Sequence, residues 1–202
     1  MHFYEPAKGH GLKHDPFNAI IGPRPIGWIS TLSQAGVPNL APYSFFNAFN
    51  YVPPIIGFSS VGWKDSVANI AATKEFVWNL ATRPLAEQMN ASSAMVAADV
   101  DEFALANLAP APCRLVGPSR VAASPVAMEC RLADLVQLKS AAGDPVESWL
   151  VLGEVIGIHI EESLIEGGVY DTAGAQPILR AGGAGDYFGI SLDTHFFLRR
   201  PR

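Results

Sequence analysis

The chain has 202 residues, enough for one generous domain or two tight ones. Apolar residues make up 49 % and charged residues only 16 %, so it is not disordered and can bury a sizeable core. Fourteen basic against nineteen acidic residues leave a net charge of −5, which excludes a nucleic-acid or anionic-membrane surface over the bulk of the chain.

Residues 1–22 are polar and punctuated by glycine, and they hold His2, His10 and His14. Gly9, Gly11 and Pro16 argue against a helix that would align His10 with His14, so a solvated arm is expected before the domain at 23–202. No basic stretch followed by an apolar run opens the chain, so a signal peptide is not expected. Ile26–Leu32 reads as a strand, Ser33–Gly36 as a turn, and 37–44 as an edge or bulged strand because of Pro38 and Pro42. Tyr43–Tyr51 is aromatic and reads as irregular. Pro54–Ser60 is a third strand, Asp65–Thr73 a helix, and Phe76–Leu80 a fourth strand. Pro84–Ala97 reads as a helix with Pro84 in its first turn, and Asp101–Asn107 as a shorter one. The stretch Leu108–Pro112 reads as a loop, and 126–138 and 148–160 return to strands. Many strands with a few inserted helices indicate a mainly β, α+β class, a barrel in particular. Cys113 and Cys130 lack the spacing of a disulfide framework or a zinc motif, and reduced thiols suit a cytoplasmic protein.

From Pro25 to Trp63 there is no Asp, Glu, Lys or Arg, although eight of the twenty aromatic residues fall in that window. A buried sheet with a subunit interface accounts for this. So does an uncharged aromatic pocket for a flat heterocycle. Arg24 and Lys64 bracket the window, and Lys64-Asp65-Ser66 opens a helix. A helix N-terminus offers free N–H groups and a partial positive charge, so a phosphate site and an ordinary capped helix start are the two readings. In the last long strand, simple alternation puts His159 on the face of Val155 and Gly157. Gly182-Gly183-Ala184-Gly185 lacks the spacing of a dinucleotide loop.

Pro23-Arg24-Pro25-Ile26-Gly27-Trp28-Ile29-Ser30-Thr31, Pro38 to Asn47, and Lys64-Asp65-Ser66 with Asn69-Ile70 resemble the flavin reductase-like, FMN-binding split-barrel family. Asp101-Glu102-Phe103, Glu129-Cys130, Gly153-Glu154-Val155 with His159, and Arg180 with Gly182-Gly183 and Tyr187 extend the resemblance over nearly the whole chain after Asp15. It implies a six-stranded Greek-key split barrel that forms a homodimer. It also implies an oxidoreductase with FMN, or FAD as the alternative flavin, near the subunit interface. NAD(P)H would be the reductant, and a partner oxygenase or other acceptor would take the electrons. Carried over, Ser30 and Thr31 would meet the ribityl or phosphate end, and Ser44, Phe45, Phe46 and Asn47 would line the isoalloxazine. Ser59, Ser60, Lys64 and Ser66 would complete the phosphate site, and His159 would approach the flavin or nicotinamide. No metal site is expected. Ser66 stands where many relatives carry Thr, which keeps the hydroxyl. A flavin-binding electron carrier without nicotinamide activity, or a split barrel for haem or pyridoxal phosphate, would carry similar motifs.

Overall fold

The computed structural model describes residues 1–201. The strands of the main sheet are β1 (Gly27–Leu32), β2 (Pro38–Tyr43), β3 (Phe46–Asn50), β4 (Ile55–Val61), β5 (Glu75–Asn79), β6 (Val126–Lys139) and β7 (Pro145–Ile160). All pairings are antiparallel, in the order β2-β1-β5-β6-β7-β4-β3. The two ends of that order, β2 and β3, are one stretch of chain interrupted only at Ser44–Phe45. Its first half pairs with β1 and its second half with β4, so the sheet closes on itself. The Ser59 N–H donates to the Phe45 carbonyl at 2.9 Å, and the Tyr43 and Phe58 rings meet with centroids 4.4 Å apart across the seam. With Pro38–Asn50 taken as one bent strand, six strands form the expected split barrel.

Within the uncharged window, the lack of charge in β1 and β4 follows from burial on both faces. In β1, Ile29 points into the barrel with Phe58, Phe76 and Trp78, while Trp28 points outward to Leu40, Leu85, Met89 and Phe103. Met89 and Phe103 of that outer layer come from helices α2 (Ala86–Ala91) and α3 (Glu102–Leu105), Leu85 from the turn before α2 and Leu40 from β2. Inside, Gly153 has no substitute, because a Cβ there would lie 2.3 Å from the Phe76 ring. Helix α1 (Asp65–Thr73) presses Val67 and Ile70 onto the barrel core. It begins after Lys64, which is extended, and Asp65 in its first turn complements the helix dipole. It ends at Lys74 in the left-handed region, whose N–H returns to Ile70.

The strand and turn expectations before Tyr43 hold, with Gly36 at φ 81°. Three expectations need correction. The aromatic stretch after Tyr43 contains β3, a strand whose mostly exposed face shows no buried alternation. The helix expected to reach Ala97 stops at Ala91, because Ser92 is pulled inward: its Oγ accepts from Trp28 Nε1 at 3.0 Å and donates to the Met89 carbonyl. The Pro-rich stretch contains a short strand, Pro110–Ala111, paired with Arg120–Val121. Residues 1–22 carry two short helical turns, and none of the residues is buried. No helix among the described residues is long and apolar enough to cross a membrane.

Candidate functional site

The bend at Ser44–Phe45 builds the site. Arg24 is 9 % exposed; its Nε donates to the Ser44 carbonyl at 3.0 Å and its guanidinium lies 5.4 Å from the centre of the Phe45 ring. Arg24 therefore holds the bend. Beneath the bend, a cavity of about 520 Å³ opens between β2, β4, the start of α1 and residues 92–96. Its wall includes Asn39, Tyr43, Ser44, Phe45, Ser59, Lys64, Asp65, Ser66 and Glu102.

A buried amide network ties the wall together. Asn39 Nδ2 donates to Thr31 Oγ1 at 3.1 Å and to Ser66 Oγ at 2.9 Å, and Asn69 Nδ2 donates to the same Thr31 oxygen at 3.1 Å. Strands β1 and β2 and helix α1 thereby fix the Ser66 hydroxyl. The first intrahelical bond of α1 runs from Ala68 N–H to Lys64, and no side chain caps the helix. Its leading N–H groups are thus left for water or a ligand. The Tyr43 hydroxyl is buried near Ser60 and Ser66 yet has no well-formed hydrogen bond.

Glu102 is buried in the same wall, where its Oε2 accepts from Leu40 N–H at 3.0 Å. Burial raises its pKa above the ordinary carboxylate range, outweighing that hydrogen bond. The folded state thus holds the proton more tightly than the unfolded one, and this carboxyl's contribution falls as pH rises between its unfolded and folded titrations. Glu102→Gln keeps an acceptor for Leu40 and removes the titration. Melting curves across a pH series should show the variant gaining on the wild type as pH rises through that window. A constant difference at every pH would contradict this.

Of the sequence-predicted residues, Ser44, Phe45, Ser59, Lys64 and Ser66 share this cavity, with Thr31 one hydrogen bond behind it. Ser30 is fully buried and donates instead to the Ser119 carbonyl at 2.6 Å. Ser60 donates to Gly62, Asn47 is exposed, and Phe46 stacks on Trp78 at 5.6 Å. Sequence reasoning missed Asn39, Tyr43 and Glu102 as wall residues, although all three sit inside motifs it had singled out. It also missed residues 92–96, which carry no chemical signature.

His159 lies elsewhere. A bulge between Val155 and Gly157 breaks the alternation: Val155 pairs with Cys130 and faces the barrel core, whereas Gly157 pairs with Glu129. His159 then projects outward with Glu129 into a second cavity of about 830 Å³, which shares no residue with the first. Within one chain, the structure does not bring His159 to Lys64 and Phe45. Glu129 is 1 % exposed and accepts from Arg114 N–H, Leu115 N–H and His159 Nε2 at 2.8, 2.6 and 2.5 Å. Burial alone would raise its pKa, and these donors outweigh that and hold it below the ordinary range. Burial, reinforced by the Glu129 charge, pushes the Cys113 thiol up to about 11. Cys113 and Cys130 are both free thiols.

Residues 22–178 match the flavin reductase like domain, and the chain belongs to that flavin-binding family. An uncharacterized protein of Halalkalibacterium halodurans is 31 % identical over 198 residues, covering 94 % of this chain and 92 % of that protein. Among solved structures, nitrilotriacetate monooxygenase component B from Bacillus cereus is 28 % identical, with a TM-score of 0.87 over 98 % of both chains. The 2-nitrobenzoate 2-nitroreductase NbaA of Pseudomonas fluorescens is 25 % identical, with a TM-score of 0.84 over 100 % of this chain and 96 % of that one. The fold is therefore that of flavin reductase-like oxidoreductases.

Proposed function

We propose that the chain is an FMN-dependent oxidoreductase, reduced by NAD(P)H and passing electrons to a partner oxygenase or another acceptor. The observation that carries this reading is the uncapped start of α1, with Lys64 and Ser66, at one end of a cavity walled by Tyr43 and Phe45. The donors suit a phosphate and the rings suit a flat heterocycle. The bound flavin would supply the redox chemistry, accepting hydride from the nicotinamide and releasing electrons onward. The protein's part is to hold it. Lys64, Ser66 and the helix N–H groups bind the phosphate. The Thr31–Asn39 network fixes Ser66, and Arg24 fixes the bend that presents Ser44 and Phe45. The likeness to a monooxygenase component B supports an oxygenase as the acceptor.

A flavin-loaded electron carrier is the second reading, favoured by the separation of His159 from this cavity. Rapid anaerobic mixing of the FMN-loaded protein with NADH or NADPH distinguishes the two. Bleaching of the flavin absorbance within the turnover range is expected. Bleaching by dithionite but by neither nicotinamide establishes the carrier, and failure to bind FMN at all overturns both readings.

The protein is further proposed to act as a homodimer with the flavin near its interface. Phe49, Tyr51, Val52, Val61 and Trp63 stay exposed around β3 and β4, with Tyr51 at 90 % and Val52 at 79 %. An obligate interface should bury more than about 2,000 Å² of mainly apolar surface. Sedimentation at decreasing concentration should show dimer dissociation accompanied by flavin release. A stable monomer with undiminished flavin affinity would rule out a shared site.

A further inference from the structure

Glu129 and His159 line the second cavity, and with Cys113 in reach of both they carry chemistry that the flavin reading leaves unused. We infer that Cys113, Glu129 and His159 form a binding site for a thiophilic divalent metal ion of the Zn²⁺ class. One ligand atom from each residue lies within 4.8 Å of the others. In a tetrahedral zinc site, bonds of about 2.0–2.3 Å set ligand atoms roughly 3.3–3.6 Å apart. The most distant pair therefore closes by no more than about 1.2 Å, a shift that side-chain rotation supplies. Thiolate, carboxylate and imidazole are the donor set such an ion selects over calcium or magnesium.

The surroundings orient the ligands. Glu129 is fixed by N–H donors from Arg114 and Leu115, which also hang the segment after Cys113 onto β6. The bulge before Gly157 turns His159 to the same side. For Glu129 this is the kind of support that metal ligands use. The spacing 113, 129, 159 matches no zinc motif, because the ligands come from a loop and from the two strands it crosses. Arg114 and Arg120 line the cavity beside the triad. They do not oppose the ion, since the Cys113 thiolate and Glu129 carboxylate neutralise its two charges. They favour water or an anion in the remaining position. Binding exchanges the Cys113 S–H bond for a sulfur–metal bond and releases one proton to solvent. His159 Nε2 leaves Glu129 for the ion as the ring proton moves from Nε2 to Nδ1, and no electron moves.

The flavin-loaded full chain titrated with Co²⁺, followed by difference absorbance, tests the inference. One ion per chain is expected, with the visible bands of a tetrahedral site and a near-ultraviolet thiolate-to-cobalt band, all displaced by Zn²⁺. Cys113→Ser should abolish the thiolate band, and His159→Ala should weaken Zn²⁺ binding in calorimetry at least tenfold, without changing FMN affinity. His159 is partly exposed, so its variant carries the test if Cys113→Ser does not fold. Absence of saturable binding below millimolar Co²⁺ overturns the site. So does a spectrum unchanged by Cys113→Ser, or one without a thiolate band, as the histidines of residues 1–22 would give.

Discussion

Lys64→Ala is expected to raise the FMN dissociation constant on the order of 10- to 100-fold while leaving riboflavin binding nearly unchanged. A hydrogen bond to a charged group contributes about 1.5–3 kcal/mol, and each 1.4 kcal/mol is about a factor of ten in affinity. Lys64 is exposed, precedes the uncapped first turn of α1, and lines the cavity beside Ser66. It forms no ion pair among the described residues, so its loss should hardly move the melting temperature of the flavin-free protein. Because the contact is a surface charge on an anion, the FMN preference over riboflavin should also shrink as salt is raised. Parallel titrations of both ligands, at two ionic strengths, read all of this. Equal losses for FMN and riboflavin would place Lys64 away from the phosphate and leave the helix N–H groups to bind it alone.

Much of the frame behind that prediction is visible in the residues. In the charge-free window, β1 and β4 carry no charge because strands buried on both faces tolerate none, whereas Phe49, Tyr51 and Val52 in the same window are exposed. The start of α1 is visible because Lys64-Asp65-Ser66 ends that window with the first charges after Arg24. Gly36 marks the first hairpin turn for the ordinary reason that it sits at φ 81°.

The rest depends on contacts made far along the chain. β3 exists because Phe46–Asn50 pairs with β4 after the bend, and its own pattern of Asn and aromatic residues carries no period. Helix α2 ends early because Trp28, 64 residues away, captures Ser92. The same capture sends residues 92–96 along the cavity. The direction of His159 depends on a bulge that adds one residue to β7, and a single insertion reverses every subsequent side chain. No local composition announces such a bulge, and with it the approach of His159 to Cys113 and Glu129 was beyond reach of the sequence.

Tyr43→Phe should move stability and binding in opposite directions. The Tyr43 hydroxyl is buried and has no formed hydrogen bond, although the Ser60 and Ser66 hydroxyls lie nearby. An unsatisfied buried polar group costs about 1–3 kcal/mol, so removing it should stabilise the flavin-free protein. For a chain of this size, that corresponds to a rise of roughly 2–4 °C per kcal/mol. The aromatic contact with Phe58 at 4.4 Å is retained in the variant, so no cavity opens. Tyr43 also lines the cavity beside Ser66, and on the proposed reading its buried hydroxyl would turn to donate to the ribityl or phosphate end of FMN. Its loss should therefore weaken FMN about tenfold, the equivalent of one moderate hydrogen bond. Thermal melts with and without saturating FMN measure both effects on one sample. The expected signature is a higher melting temperature without flavin and a smaller upward shift on adding it. A lower flavin-free melting temperature would mean that Ser60 or Ser66 already satisfies the hydroxyl. An unchanged shift on adding FMN would remove Tyr43 from the ligand contacts and leave Ser66 and Lys64 as the side chains holding that end of the cofactor.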